Sequence, residues 1–198
     1  PGWRRDDAGE NISARNATFC ELTGHYWLWK NVEADVYGLC HYRRYFARGL
    51  PVGDKRRRIM PAERLGRLMS GCAVLLPRKR HYWIETNYSQ YAHAHHAEDL
   101  RAARRVIEQR HPAYLPAWER VMRRRSGHRF NMFLMRREAF LAYSAWLFDI
   151  LFELERRLEG LGGDIVILTL PKEFAADVAG RLAGTRIRGI WNFTGKEL

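Results

Sequence analysis

The alternation of short apolar segments with longer amphipathic ones constrains the fold of this chain more than any other feature. Apolar residues recur at helical spacing within residues 16–30, 97–110 and 138–159, which predicts amphipathic helices there. Shorter apolar runs, typical of buried strands, lie at residues 34–46, 72–76, 130–135, 164–170 and 187–193. Strands that alternate with helices predict an α/β fold.

A glycine-rich stretch at residues 160–163 marks a natural boundary in the chain. Residues 164–198 follow it with the order strand, helix, strand, which is the compact βαβ pattern of Rossmann-like folds. We therefore expect two parts, one spanning residues 1–160 and a shorter one spanning residues 164–198.

Composition restricts the setting of the protein. The chain has 198 residues, of which 46% are hydrophobic, and this is enough for a packed core. No run approaches the ~20 apolar residues of a membrane span, and residues 1–7 lack the apolar segment of a signal peptide. The three cysteines are too few and too scattered for a disulfide framework or a zinc site, which favours a reducing, cytoplasmic setting.

The charge balance indicates an anionic partner. Lys and Arg total 34 against 22 for Asp and Glu, which gives a net charge of +12. Such a balance attracts nucleic acid, anionic lipid or phosphorylated small molecules, and arginine binds phosphate with two parallel hydrogen bonds. The basic runs at residues 55–58 and 123–125 belong to no recognisable nucleic-acid module, so we expect no nucleic-acid partner. The run at residues 55–58 is either a solvated loop or a peripheral contact with an anionic membrane.

Five ordered motifs together resemble one bacterial family. They are DAGENIS at residues 7–13, CELTGHYWLWKN at 20–31, GLCHYRRYF at 38–46, NMF at 131–133 and WLF at 146–148. The family began as a domain of unknown function, and its members are described as capsular or exopolysaccharide biosynthesis glycosyltransferases. The resemblance covers about residues 5–160. It implies a GT-A-like core, a nucleotide-sugar donor, with a UDP-sugar as the expected form, and a growing surface glycan (capsule, exopolysaccharide or O-antigen) as acceptor.

The two ends of the chain depart from that family. Its members normally begin with another strand and helix, so we expect an N-terminally truncated core, and a catalytically inactive fragment is an alternative. Residues 164–198, with ILTLPKE at 167–173 and IRGIWNF at 187–193, instead resemble the NAD(H)-binding domain of the redox-sensing repressor Rex. That resemblance makes an NAD(H)-binding module the second hypothesis. The missing glycine-rich fingerprint and the missing DNA-binding winged helix count against it.

The donor site is expected at the end of the strand within residues 34–46. Many GT-A enzymes place an Asp-x-Asp motif and a divalent metal there, but this chain has His41, Arg43 and Arg44. We expect Arg43, with Arg44 and His41, to bind the donor diphosphate, because open α/β sheets bind ligands at the carboxyl ends of their strands. A structural role in ion pairs is the alternative, and the carboxylates available for it are Asp7, Glu21 and Asp35.

Three further polar residues of the N-terminal motifs are candidates for the same site. Asp7 and Asn11 either bind hydroxyls of the donor ribose or sugar, or serve turn and capping chemistry. Glu21 is a candidate general base, although an acid in the first turn of a helix also favours the helix dipole.

A His-rich segment offers candidates on the acceptor side. His95 and Asp99 share a helical face and are expected to act as base or acceptor ligands. A His–carboxylate set suits Mn, Fe or Zn, but no third distant ligand is evident, so we predict no metal site here and leave the dependence on divalent metal open. Tyr88 and Tyr91 precede this segment and are expected either to line an acceptor groove or to pack against the sheet.

Overall fold

A computed structural model describes residues 4–41, 44–49, 54, 56–128, 130–161, 165–168 and 189–192, with side chains described as far as residue 157. The chain divides into two compact units, Pro1–Ile150 and Leu151–Leu198. This division falls before the glycine-rich stretch at residues 160–163, and a domain boundary at that stretch stays a prediction.

Helices dominate the described residues. They are α1 (Asn16–Phe19), α2 (Leu22–Asn31), α3 (Ala62–Ser70), α4 (Asn87–Ala94), α5 (Ala97–Arg110), α6 (Leu115–Arg123) and α7 (Arg137–Leu161). The predicted helices at residues 97–110 and 138–159 are confirmed as α5 and α7. Acidic Glu98 and Asp99 lie in the first turn of α5 and Arg110 lies in its last turn, which suits the helix dipole at both ends.

The strands are short and form three small sheets. They are β1 (Val36–Leu39), β2 (Val74–Leu75), β3 (Arg80–His81), β4 (Ser126–Gly127), β5 (Phe133–Arg136), β6 (Ile165–Leu168) and β7 (Gly189–Asn192). The first sheet has the order β1-β5-β2 with both pairs antiparallel, and a second antiparallel pair joins β3 to β4. In the second unit β6 and β7 pair in parallel, as a βαβ unit requires, while the predicted helix at residues 171–185 lies outside the described residues.

The helix predicted over residues 16–30 is interrupted. Cys20 has φ +48°, a left-handed conformation that an α-helix cannot contain, so the chain ends α1 there and starts α2 two residues later. The apolar spacing that predicted one helix continues across the break, because both short helices bury apolar residues: Phe19 of α1 is buried, and so is Tyr26 of α2, which packs on Phe148.

The strand predicted over residues 34–46 is also shorter than expected. β1 ends at Leu39, and the Arg44 backbone N–H donates to the His41 carbonyl oxygen at 3.0 Å, which is a tight turn. Tyr42 and Arg43 lie outside the described residues. The described strands of this sheet are antiparallel, so the rule for carboxyl ends of parallel strands does not locate the ligand site.

The core of the first unit lies between the β1-β5-β2 sheet and helices α2 and α7. Tyr37, Phe133 and Met135 point from the sheet into a buried cluster with Phe140 of α7, and the Tyr37 and Phe140 rings stack with centroids 4.0 Å apart. Trp29 of α2 stacks on Phe148 of α7 at 5.7 Å. Aromatic side chains of this size bury the most apolar area per residue, so they fix how the two helices pack on the sheet.

His25 lies at the centre of this aromatic core with no exposed surface. Its ring is within 6 Å of the ring centroids of Phe133, Phe140, Tyr143 and Phe148. Its Nε2 shares a hydrogen bond of 2.8 Å with the buried Ser144 hydroxyl of α7. Burial lowers the pKa of His25 from its ordinary value of 6.5 to about 4, because the charged imidazolium cannot be solvated there.

We expect His25 to make the folded state sensitive to mild acid. Since its pKa is lower in the folded chain, the unfolded chain binds more protons between pH 6.5 and pH 4, so this stability is complete above pH 6.5 and is lost as the pH falls towards 4. Between pH 7 and pH 4.5 the wild type should lose roughly 2–3 kcal/mol more than the double variant H25F/S144A, which removes both hydrogen-bonding partners. Urea unfolding at the two pH values measures the difference, and equal pH slopes for the two proteins would contradict it.

Candidate functional site

A cleft of about 970 Å³ opens beside the first sheet. Its walls come from four stretches of chain, within residues 44–49, 56–60, 75–78 and 130–132. These stretches follow β1, precede α3, follow β2 and precede β5, so the ends of all three strands of the sheet border the cleft. Several apolar side chains, including Phe46, Ile59 and Met132, line part of it.

Four arginines give the cleft its charge. They are Arg44, Arg56, Arg58 and Arg78, and among the described residues no acidic side chain joins them in the lining. Within the described part of the chain, none of the four forms an ion pair with a carboxylate. The Arg44 guanidinium lies 4.2 Å from the centroid of the Phe130 ring, a cation–π contact that orients it without neutralising it. Four uncompensated guanidinium groups in one cleft create a strongly positive potential that suits a multiply charged anion.

Backbone pairing holds the cleft wall in place. Residues 44–49 and 56–60 run antiparallel, with hydrogen bonds from Arg48 N to Arg58 O at 2.9 Å and from Met60 N to Phe46 O at 2.8 Å. The Arg58 side chain turns back and its Nε donates to the Arg48 carbonyl oxygen at 3.2 Å. Its Nη2 also donates to the Gly49 carbonyl oxygen at 3.4 Å, so two backbone carbonyls hold the guanidinium and three of its five N–H donors remain.

Two strained turns meet at the edge of the cleft. Phe130 and Asn131 have φ +81° and +48°, and with Cys20 they are the described non-glycine residues with positive φ. The Asn131 side-chain amide donates to Glu21 Oε1 at 3.1 Å, so the bond joins the turn before β5 to the break between α1 and α2. Backbone strain of this kind costs of order 1–3 kcal/mol per residue and concentrates at functional sites. The hydrogen bond to Asn131 holds the Glu21 carboxylate near the cleft, because the residues on either side of Asn131, Phe130 and Met132, line the cleft.

Asp7 and Asn11 do not line the cleft. Asp7 forms an exposed ion pair with Arg5 at 3.2 Å. The Asn11 side chain donates to the Gly9 carbonyl oxygen at 2.8 Å and accepts from both the backbone and the hydroxyl of Ser13. Turn chemistry thus occupies the amide of Asn11, and a role for either residue in donor binding stays a prediction.

The segment around Gly9 is instead clamped to α2. Asn31 at the end of that helix accepts from the Glu10 backbone N–H at 3.1 Å and donates to the Glu10 carbonyl oxygen at 2.8 Å. The Glu10 carboxylate accepts from the Tyr26 hydroxyl at 2.7 Å and pairs with Lys30 at 3.2 Å; these contacts lower the pKa of Glu10, Tyr26 contributing most. The sequence motifs at residues 7–13 and 20–31 are therefore in direct contact with each other.

The structure brings three of the predicted acceptor-side residues together. The Tyr91 hydroxyl donates to Asp99 Oδ2 at 3.3 Å, and the rings of Tyr91 and His95 lie 4.8 Å apart. Burial and the neighbouring Asp99 carboxylate raise the pKa of Tyr91 to about 12, so its hydroxyl stays protonated. Tyr88 lies apart from this group beside Arg101, whose pKa is raised chiefly by Glu98 and also by Tyr88. None of the four lines the cleft.

The structure does not test which residues bind a diphosphate. Arg44 lines the cleft, and its role there stays a prediction. His41 lies in the adjacent turn, outside the lining. Arg43 lies outside the described residues, so its role stays a prediction. Glu21 and Asp35, proposed as alternative ion-pair partners, form no ion pair with Arg44, and Glu21 contacts Asn131 instead.

Sequence reasoning missed three of the cleft arginines. Arg56 and Arg58 belong to the basic run at residues 55–58, for which the sequence predicted a solvated loop or a membrane contact. In the structure both line the cleft. Arg78 directly follows Pro77, where the apolar run of β2 ends. In the sequence, each of the three is a basic residue close to the end of a strand or opposite one. The backbone pairing that brings these segments together is a feature of the tertiary structure.

Two other kinds of site were sought along the described residues. No three or more His, Cys, Asp or Glu side chains lie close enough together there to hold a metal ion. Nor does any helix in that part of the chain combine the length and the apolar character needed to cross a membrane.

Comparison with known proteins shows the family of this chain. The family profile "Domain of unknown function (DUF4422)" matches residues 1–163. No curated protein matches the sequence.

Among solved structures, the apo structure of the bifunctional glycosyltransferase WbbM is similar, with a TM-score of 0.65 and 33% sequence identity. The match covers 76% of this chain but only 30% of WbbM, so this chain spans less than a third of that protein. The likeness confirms the predicted α/β fold with a GT-A-like core.

The clamp between residues 8–11 and α2 leads to a test by substitution. A Cβ added at Gly9, which has φ +69°, would lie 2.1 Å from Asn31 Oδ1, so Gly9→Ala should lower the free energy of unfolding by about 2 kcal/mol. Gly24→Ala is the matched control, because that glycine lies inside α2 with nothing within 4 Å, and it should raise stability by about 0.5–1 kcal/mol. Urea denaturation compares them, and equal stabilities would contradict the clamp.

Proposed function

The chain belongs to the DUF4422 family, and we propose that it is a glycosyltransferase whose arginine-lined cleft binds the diphosphate of a nucleotide-sugar donor. The observation that carries this proposal is the set of four arginines in one cleft, with no carboxylate in the part of the lining that the structure describes. The GT-A-like core shared with WbbM supports the reaction class. The resemblance in sequence favours a UDP-sugar as the donor.

Catalysis of this reaction requires the protein to stabilise the negative charge that develops on the leaving group. The bond between the sugar C1 and the diphosphate oxygen breaks, a bond from C1 to an acceptor hydroxyl oxygen forms, and the acceptor proton passes to a base. Negative charge grows on the departing nucleoside diphosphate. Guanidinium groups such as Arg44 and Arg58, already fixed by Phe130 and by the Arg48 carbonyl, stabilise that charge without reorganising.

The apolar part of the cleft suits the rest of a nucleotide. Phe46, Ile59 and Met132 offer surface to a planar base, while the arginines face the phosphates. The described residues supply no cluster of metal-ligating side chains, and the steps proposed for this chain use its arginines.

Glu21 is the candidate base with the strongest structural support. Its carboxylate is held by Asn131, whose neighbours Phe130 and Met132 line the cleft. Asp99 and His95 stay candidates for the acceptor side, together with Tyr91 and Tyr88. A growing surface polysaccharide (capsule, exopolysaccharide or O-antigen) is the acceptor we propose, and the three free cysteines, Cys20, Cys40 and Cys72, suit a cytoplasmic location.

Calorimetric titration with UDP tests the donor site. The double variant R44Q/R56Q removes two cleft charges, and it should weaken the Kd for UDP by at least about tenfold, since each charge-assisted hydrogen bond contributes about 1.5–3 kcal/mol. The control R64Q/R67Q removes the same charge from exposed positions of α3, outside the cleft, and should change the Kd less than about twofold. Uridine, which lacks phosphate, should bind the wild type and R44Q/R56Q about equally.

Three further measurements separate the remaining alternatives. Unchanged UDP affinity in R44Q/R56Q would contradict the cleft as the donor site, and loss of affinity in Arg43→Ala alone would move the site to residues 41–43. Release of UDP from a UDP-sugar by the wild type, abolished in Glu21→Gln while UDP still binds, would support Glu21 as the base. Binding of NADH in place of UDP would favour the second hypothesis, an NAD(H)-binding module.

A further inference from the structure

Trp83 and Ile84 are the most exposed large apolar side chains of the described residues, at 94% and 84% exposure. They lie side by side between β3 and α4, and we call this pair the apolar tip. A tryptophan and an isoleucine left in water forgo the gain that burial of their surface would bring. Two neighbouring residues of this kind mark a contact surface when the surrounding structure holds them out.

The backbone on both sides holds the apolar tip in that position. Tyr82 N donates to the Arg125 carbonyl oxygen at 2.7 Å just before the tip, and Asn87 N donates to the Arg124 carbonyl oxygen at 2.7 Å just after it. Thr86 then caps α4 through a reciprocal pair of hydrogen bonds with Ser89. With both ends fixed to the segment that follows α6, the tip is a short, supported projection.

The same bonds surround the apolar tip with positive charge. Two basic runs meet there, Arg78–Lys79–Arg80 before the tip and Arg123–Arg124–Arg125 beside it, joined by the pairing of β3 with β4. All six side chains belong to exposed residues, and none pairs with a carboxylate among the described residues. Glu85, the acidic residue directly after the tip, is already hydrogen-bonded to His93.

We propose that the apolar tip inserts into the surface of a bilayer that contains anionic lipid. Tryptophan is favoured at the boundary between headgroups and hydrocarbon, and the aliphatic Ile84 gains only by entering the hydrocarbon. Each lysine or arginine near an anionic surface adds attraction, so the two basic runs and the tip act in the same direction. Arg78 belongs both to this surface and to the donor cleft, but Trp83 and Ile84 do not line the cleft, and the proposal does not rest on the proposed function.

Two other occupants fit the surface less well. A second copy of the chain would bring six like charges against six more, which disfavours a symmetric contact. A single-stranded nucleic acid would stack a base on Trp83 and pair with the arginines, but it offers Ile84 no apolar partner.

Docking at the tip would also set the position of the cleft. Arg78 lines the cleft and lies five residues before Trp83, so at most about 18 Å of chain separates the cleft wall from the inserted side chain. The cleft would therefore work close to the lipid surface.

Co-sedimentation of the full chain with vesicles tests the proposal. We expect binding to vesicles of phosphatidylcholine with about 30% phosphatidylglycerol and little binding to phosphatidylcholine alone. The variant W83S/I84S should bind the anionic vesicles about tenfold or more weakly, and R124Q/R125Q should lose about tenfold as well. The matched controls are L68S, at another exposed apolar residue, and R64Q/R67Q, and they should change binding less than about twofold.

Several outcomes would overturn it. One is W83S/I84S binding the anionic vesicles as tightly as the wild type does, and another is an equal loss in the control variants. A dimer in sedimentation velocity that W83S/I84S converts to monomer would assign the tip to a second copy. Loss of oligonucleotide binding in W83S/I84S, with vesicle binding intact, would assign it to nucleic acid.

A spectroscopic readout reports insertion directly. Vesicles carrying brominated lipid should quench the tryptophan fluorescence of the wild type, and W83F should keep most of the binding but lose most of the quenching. Equal quenching in both proteins would show that another of the seven tryptophans meets the lipid, and this would also overturn the proposal.

Discussion

The buried contact of His25 with Ser144 and its ring of aromatic neighbours is the interaction on which the first unit depends. It joins α2, α7 and the sheet in one place. Ser144 satisfies the Nε2 of this buried ring, while its Nδ1 has no hydrogen-bond partner among the described residues. The imidazole adds one directional hydrogen bond between α2 and α7, and its lowered pKa makes the folded chain weaker in mild acid.

The site is positioned from that core in a chain of contacts. With α2 fixed, Asn31 at its end holds residues 8–11, and Glu21 at its start reaches Asn131. Asn131 sits in the strained turn that leads into β5, beside Phe130, against which Arg44 rests. Residues of the first, second and fourth motifs are thus neighbours in space, although few of them line the cleft.

Much of the architecture could be predicted from the sequence, and the errors have identifiable causes. Apolar periodicity located α5 and α7, because burial of one face dictates that pattern directly, and a continuous apolar run located β6. It could not reveal the left-handed Cys20, which interrupts a helix without interrupting its apolar face. The sequence made Arg44 a candidate, and its role stays a prediction. Arg58 and Arg78 reach the cleft through pairing between distant segments, and no local pattern encodes that pairing. Arg43 and the βαβ helix at residues 171–185 stay predictions.

The unpaired arginines of the cleft also affect the stability and the cellular abundance of the protein. Like charges held together without a carboxylate repel one another, so the empty cleft subtracts from the stability of the fold. Any anion that fills the cleft removes this repulsion and binds only the folded chain, so the folded fraction rises with its concentration. Cellular proteases act on the unfolded fraction. An anion that binds the cleft would therefore raise the abundance of the folded protein, with no separate regulator needed.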